Sequence, residues 1–408
     1  MAATAAPAAN QRLWIAQSPF YLTAAAAVAT EISIAAFQIL MGFALVAVVA
    51  ARTKFRFPPV ALPLAAWIVW TLISAAAHSD LERGLPQIKK FYVYLMLFLV
   101  VSAVRGMRQI RAVVLGWALA ASASAILSLE QFARKYEAAR AAHMNFYAAY
   151  VASRITGFMD HWMTFSGQMM LAVLLMLAFL LFSRDRRAAA WLIPALCLAA
   201  AALVAAETRS MWGAAAAGAA YLVWLKRRWL ILAFPLALAV GLVANPFMLR
   251  ERIVSIVRPH GDMDSNEHRA LLRRVGWQMI QAHPLLGLGP EQVGPNFARY
   301  LPPDAPHPLP TGYYAHLHNI YFHYAAERGL PALAALLWFF GRALYDFARA
   351  LARLSPDSEA RWLLRGAVAA IAAFMLAGYF EVNWGDSEVL GMFLALVGCG
   401  YAAIESAA

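Results

Sequence analysis

Cysteine is almost absent from this 408-residue chain, and charge is scarce. The two cysteines, Cys197 and Cys399, each fall inside an apolar run, which argues against a disulfide framework and against a cysteine-ligated metal. Charged residues make up 14%, well below the quarter usual in a soluble protein, against 62% hydrophobic residues and a mean hydropathy of +0.60. The N-terminus is Ala-rich, without a basic region followed by a compact apolar core and a cleavage site, so a cleaved leader is not expected. No internal repeat is evident either, which weakens a transporter built from inverted repeats.

What the chain has instead is a succession of apolar runs. A helical span needs about 20 mostly apolar residues, and by that rule the sequence divides into about twelve candidates, at 14–30, 33–51, 60–78, 88–104, 112–129, 163–182, 188–206, 210–225, 229–246, 318–341, 362–380 and 388–404. The expected fold is an all-α polytopic membrane protein, one transmembrane domain over 1–408, with a polar segment at 247–317 inserted between the ninth and tenth spans. Glu31 interrupts a long Ala-rich run, which leaves open one bent helix or a re-entrant hairpin in place of the first two spans.

Basic residues sit in alternate turns: Arg52, Lys54 and Arg56; Arg105, Arg108 and Arg111; Arg184, Arg186 and Arg187; Lys226, Arg227 and Arg228; and five arginines between 342 and 365. The positive-inside rule makes these turns cytoplasmic, and both termini with them. With Arg12 they hold 18 of the 34 Lys and Arg but only five of the 22 acids, so the cytoplasmic side alone explains the formal charge of +12. A nucleic-acid partner is therefore not implied by the high pI. The segments 247–317 and 130–162 then lie outside, with the turns at 79–90, 207–209 and 381–388.

The 247–317 segment reads as a compact lid. Residues 267–282 predict an amphipathic helix with Leu271, Leu272, Val275, Met279 and Ile280 on one face. His283-Pro284-Leu285-Leu286-Gly287-Leu288-Gly289-Pro290 then predicts a tight turn, and Pro-rich 301–310 returns the chain to the membrane.

The chemistry-bearing residues collect on that side. His318 opens the tenth span at its water-facing mouth, where a cationic neighbourhood favours the neutral, proton-accepting imidazole of a general base. A histidine that merely caps the helix is the plainer alternative, and His316 and His323 are competitors for the role. Glu327 is nine positions on and points the opposite way on a regular helix, so with Arg328 it is expected to tie helices together. Arg209, in a very short turn between two spans, and Arg269 on the lid helix are suited to a phosphate group, since guanidiniums bind its oxygens bidentately and keep their charge. Lys89, Lys90, Arg154 and Arg273 are candidates to join them, and His316 and Asn319 to contact substrate beside His318. For a single outer arginine, pairing with an outer acid or a lipid headgroup is the ordinary alternative. The run Pro259–His268 crowds carboxylates and imidazoles, but its spacing matches no strict ligand pattern, and no metal is assigned.

With these residues in view, the chain resembles the O-antigen ligase family of bacterial inner membranes, within the larger group that includes the O-antigen polymerases. The resemblance covers nearly the full length by architecture. Its most specific motif is His followed by Asn, Ser or Gln, nine residues and Gly, met here by His318-Asn319, residues 320–328 and Gly329; Ala332 stands where Gly, Thr or Tyr is usual three positions further on. Arg269 through Trp277 to the Pro284–Gly289 run, Thr208-Arg209-Ser210 and Arg154-Ile155-Thr156-Gly157 are similar as well. The resemblance implies a GT-C-like glycosyltransferase of the bacterial inner membrane, with its active site on the periplasmic side. It further implies inverting transfer of O-antigen from undecaprenyl pyrophosphate to lipid A-core, without metal or cofactor. The family's essential histidine maps onto His318, and its essential arginines map onto Arg209 and Arg269. Related readings are an O-antigen polymerase or a protein O-oligosaccharide ligase. A reading of another class is a transporter or flippase for an anionic lipid, which needs a charged path through the bilayer.

Overall fold

The computed structural model describes residues 5–78, 81–258 and 266–407, and among these the regular structure is helical. In chain order the helices are α1 (Ala5–Ala29), α2 (Ile34–Ala50), α3 (Ala61–Ala76), α4 (Leu81–Lys89), α5 (Leu95–Ala103), α6 (Gly106–Ala141), α7 (Phe146–Ala152), α8 (Trp162–Phe182) and α9 (Arg186–Ala205). They continue with α10 (Arg209–Lys226), α11 (Ala233–Ala244), α12 (Leu249–Val254), α13 (Asn266–Ala282), α14 (Val293–Asn296), α15 (Ile320–Arg353), α16 (Ala360–Gly378) and α17 (Ser387–Ala407). Helices α8 and α17, apolar on every side, form the centre of the bundle, since 78% and 89% of their most apolar stretches are buried.

Seven of the described helical segments are long and apolar enough to cross a membrane: 82–103, 106–141, 162–182, 186–205, 320–353, 360–378 and 387–407. An eighth results if 228–244 and 246–254, bent by 113° at their junction, count as one span. The chain is thus a multi-pass membrane protein, but the expected twelve spans are not all found at that standard. Those expected at 33–51 and 60–78 are helices of 17 and 16 residues. Those at 14–30 and 210–225 fall on α1 and α10, where alanine, polar and terminal charged residues dilute the apolar character. Near Glu31 the chain makes two separate helices, α1 and α2, packed along each other; the break falls at Thr30–Ser33, where the Ser33 hydroxyl accepts from the Ala36 N–H.

The arginine-rich turns converge at one end of the bundle. Arg111 pairs with Asp185 at 2.9 Å and Glu359 at 2.8 Å, Arg184 with Asp357, and Arg56 with Glu405. At the other end, α13 and the loops after it build a second hydrophobic core. Leu271, Leu272, Val275, Met279 and Ile280 are all buried there, together with Leu288, Val293, Phe297 and Leu317. The face that the periodicity of 267–282 predicts is the face that packs.

This second core is clasped to α15. The helix breaks at Gly329 (φ 79°, ψ 171°), two residues before Pro331. The backbone groups freed by the break bond to the 284–289 turn: the Leu288 N–H donates to the Ala326 carbonyl, the Gly289 N–H to that of Glu327, both at 2.8 Å, and the Leu330 N–H to that of Pro284 at 2.7 Å. Trp70 and Ser74 of α3 close the same junction by donating to the carbonyls of Arg328 and Leu286. A side chain at Gly287 would meet the Glu327 backbone at 2.2 Å, and one at Gly329 the Leu285 carbonyl oxygen at 1.7 Å. The spacing of the His-Asn motif thereby acquires a physical meaning, because nine residues of helix separate His318-Asn319 from the point where the turn presses on the backbone.

Glu327 and Arg328 serve this junction. One Glu327 carboxylate oxygen accepts the Glu291 N–H at 2.7 Å. The Arg328 guanidinium lies 4.8 Å over Trp67 and 4.7 Å over Tyr324 and donates to Thr71 and Gln87. The indoles of Trp67 and Trp384 both donate to the Tyr94 hydroxyl below.

A cation-rich cavity as the candidate active site

A cavity of about 970 Å³ opens between the bundle and the second core. Its walls carry five cations, Lys90, Arg154, Arg209, Arg252 and Arg269, against three carboxylates, Glu291, Glu381 and Asp386. Of the residues that the sequence nominates, His318, Arg209, Arg269, Arg154, Lys90 and His316 line it together, although they come from segments up to 228 positions apart.

His318 lines it beside Glu381. The residue has φ 46°, a left-handed backbone that side chains adopt only when their surroundings fix it. Asn319 follows as the N-cap of α15, its carboxamide oxygen accepting from the N–H groups of Tyr321 and Phe322, so the imidazole stands at the lip of the helix. His318 Nδ1 faces Glu381 Oε2 at 3.4 Å, and Glu381 Oε1 takes a charged hydrogen bond from Arg269 at 2.7 Å. One buried carboxylate thus holds both the imidazole and a guanidinium. Burial alone would raise its pKa, but Arg269 and His318 outweigh that and keep Glu381 below the ordinary carboxylate range. With a proton on Nδ1 facing Glu381, Nε2 is left with its lone pair to accept another.

Arg209, the first residue of α10, donates to Ser255 at 3.1 Å and to Asn266 at 2.8 Å, which joins α10 to α12 and α13. Arg252 donates to the Glu207 carbonyl at 2.9 Å from a fully buried position. Arg154 stacks 5.1 Å over Trp162, which itself stacks on His161. Burial and the neighbouring Arg252 push the Arg154 guanidinium down to about 9. So strong a concentration of positive charge in a partly enclosed space is a site for an anion with several oxygens, and a phosphate ester fits that requirement.

Three nominated residues lie elsewhere. Lys89 is exposed; adjacent residues of a helix point about 100° apart, so only Lys90 turns inward, where its Nζ donates to the Gly385 carbonyl at 3.2 Å. Arg273 is on the same face of α13 as Arg269, but one turn on, about 6 Å along the axis, it has passed the rim and is exposed. Asn319 is buried in its capping role and does not line the cavity. Glu381 and Arg252 went unrecognised in the sequence. A signal for Glu381 was present, since an acid in a short turn between two late spans resembles the setting that singled out Arg209. Among the described residues no three His, Cys, Asp or Glu side chains converge to hold a metal ion; the Asp262-x-Asp264 pair lies outside the described residues.

Residues 194–337 match the family model for O-antigen ligase. The chain carries an O-antigen ligase domain. No curated protein matches the chain. The ligase domain runs from α9 into α15 and contains Arg209, Arg252, Arg269, His316 and His318, while Arg154, Lys90 and Glu381 reach the same cavity from outside it. A match to a family of ligases and polymerases supports an enzyme of that general type, and the family implies lipid-linked polysaccharide as the class of substrate.

The imidazoles around His318 make the cavity sensitive to acid. Burial above all pushes His316 down to about 3 and His268 to about 4. Between these values and the ordinary histidine value near 6.5 the unfolded chain binds protons that the folded protein refuses, so stability falls as pH drops through that window. Glu381, held low, adds its own loss only as pH falls below about 4. We expect the melting temperature in detergent to fall from pH 7 to pH 5, and to fall less in a His316→Asn, His268→Asn double variant. Equal slopes in both proteins would remove these two residues from the account.

Proposed function

We propose that the protein is an O-antigen ligase that transfers a glycan from undecaprenyl pyrophosphate to a sugar hydroxyl of lipid A-core, on the periplasmic side of the bacterial inner membrane. The observation that carries this reading is the shared cavity of His318 and four arginines beside a carboxylate that holds Arg269 and the imidazole in register. His318 Nε2 removes the acceptor hydroxyl proton as that oxygen attacks the anomeric carbon. The bond from that carbon to the pyrophosphate oxygen breaks, and the electron pair leaves on the pyrophosphate, where Arg269 and Arg209 neutralise the growing charge, with Arg154 and Lys90 beside them. One displacement inverts the anomeric centre. The donor arrives already activated, so the step needs neither nucleotide nor metal. In this scheme α13 and the loops after it, the second core of the 247–317 segment, act as a lid over the reacting groups.

The packing behind Tyr324, a wall residue of the cavity, favours a transferase over a transporter. Arg328 is sealed between Trp67 and Tyr324 above the Tyr94–Trp384 pair, which suits a closed site better than a charged path through the bilayer.

Glu381 is a positioning residue in this scheme. Glu381→Gln keeps the shape and removes the charge, and should lower turnover about 100-fold, the cost of loosening a reacting geometry, with a much smaller change in KM for the donor. Glu381→Asp should recover part of the loss. A Gln variant with wild-type turnover would leave Glu381 a structural tie only.

Lipopolysaccharide gels test the assignment as a whole, using a ligase-deletion strain complemented with wild type, Arg209→Ala or Arg269→Ala. The ligase reading predicts that wild type restores the long-chain ladder and that both variants leave only the short form. Restoration by wild type of caps longer than one repeat, in a strain whose own ligase is intact but whose polymerase is deleted, would instead identify a polymerase.

A further inference from the structure

Helix α6 has 36 residues, far more than the roughly 20 that a crossing needs, and its second half carries a polar stripe. Ser124, Gln131 and Lys135, at i, i+7 and i+11, share one face there, and all three hold the irregular segment 153–161 that joins α7 to α8. The Lys135 ammonium donates to the Ser153 hydroxyl at 2.8 Å, and the Phe158 N–H donates to the Ser124 hydroxyl at 3.3 Å. Between them, the Gln131 carboxamide makes three bonds. Its oxygen accepts the N–H groups of Thr156 at 2.9 Å and Gly157 at 3.1 Å, and its nitrogen donates to the Gly157 carbonyl at 3.0 Å. These backbone groups lie outside any helix, so a single side chain supplies the partners that a helix would otherwise give them.

The segment held in this way brings Arg154 and His161 to the cavity wall. Arg154 differs from the other four cations there. Lys90, Arg209, Arg252 and Arg269 each donate to an oxygen of the protein, whereas among the described residues the Arg154 guanidinium has no hydrogen-bond acceptor and lies over the Trp162 ring. Its donors are all available to an incoming oxygen. With no acceptor of its own to fix its direction, the side chain takes its aim from the backbone that carries it and from the ring beneath it. The Ile155 side chain, fully buried, and the Gln131 bonds to the next two residues set that backbone.

We propose that Gln131 is a positioning residue for glycan transfer, aiming the Arg154 guanidinium at the departing pyrophosphate by fixing the backbone at 156–157. The proposal rests on the transfer reaction put forward above. A guanidinium makes its paired bonds to a phosphate only in a narrow range of orientations, so a segment free to shift would lose them as charge builds on the leaving group. Gln131 never meets the substrate in this scheme: it lies outside the cavity wall, and its effect passes through Arg154. His318, Glu381 and Arg269 are joined to one another and not to this segment, so they keep their places when the carboxamide is removed.

A double-mutant cycle on the purified full-length protein tests this, with a lipid-linked glycan as the varied substrate and lipid A-core as acceptor. Gln131→Leu should lower kcat/KM for the donor about tenfold, and Gln131→Glu, which still accepts both N–H groups, only about threefold. In an Arg154→Met background each of these substitutions should change kcat/KM by less than about 1.5-fold, because the group they aim is gone. A residue that only supports the fold lowers activity by the same factor in both backgrounds. That result overturns the proposal, as does a Gln131→Leu protein as active as wild type. Should Gln131→Leu fail to fold, Gln131→Glu, with two of the three bonds kept, supplies the same comparison between backgrounds. Transfer that is lost in His318→Ala but unchanged in Arg154→Met overturns the positioning role alone, whereas wild-type protein without any transfer overturns the transfer reading and this proposal with it.

Discussion

His318→Ala should abolish glycan transfer while leaving the lipid-linked donor bound. The side chain is 12% exposed, with Nδ1 towards Glu381, so removing it deletes the proton acceptor and leaves the arginines where they are. General-base catalysis is worth about 10²- to 10⁴-fold, and the full range is expected because an acceptor hydroxyl loses its proton only as the new bond forms. Donor affinity should change by less than about threefold, since the guanidiniums supply most of the pyrophosphate binding. Single-turnover transfer and donor binding, measured on the same purified variant, separate the two effects. Retained transfer would remove His318 from the mechanism, and transfer lost together with binding would make it a structural residue.

Gly329→Ala should cost more stability than any other single methyl group added to the chain. The new Cβ would lie 1.7 Å from the Leu285 carbonyl oxygen, and φ 79° with ψ 171° is a region that only glycine occupies readily. Neither α15 nor the 284–289 turn can retreat without breaking the three backbone bonds between them, so the cost should exceed about 4 kcal/mol, in the range reserved for named disruptions of a packed backbone. Gly341 on the same helix has nothing within 4 Å of its would-be Cβ, and Gly341→Ala should be neutral or slightly stabilising. The yield of monodisperse protein and its melting temperature in detergent read the contrast. Similar behaviour of the two variants would contradict the clasp.

The parts of this fold that were legible in the sequence are those where local periodicity and burial coincide. Helix α13 lies half in water, so its five apolar residues at helical spacing announce the face that packs. Helices α8 and α17 give no such signal, because apolar side chains cover them on every side and the distinction between lipid and neighbour is invisible in composition. The run 229–246 ends where the turn dipeptide Asn245-Pro246 bends the chain by 113°, so that boundary was legible as well. At the site, residues with one conspicuous property could be nominated singly: an isolated arginine in a short turn, or a histidine at the mouth of a span. Their partners could not. Glu381 meets Arg269 across 112 residues and His318 across 63, and a contact of that kind follows from helix packing rather than from any spacing along the chain.

The proposed transfer is a single displacement, with an imidazole on one side of the anomeric carbon and guanidiniums around the leaving pyrophosphate on the other. The configuration of the newly formed glycosidic bond, read by nuclear magnetic resonance on product made by the purified enzyme from a donor of known anomeric configuration, tests it most directly. Inversion is the predicted result, and retention, which requires a covalent glycosyl-enzyme and a second displacement, would contradict it.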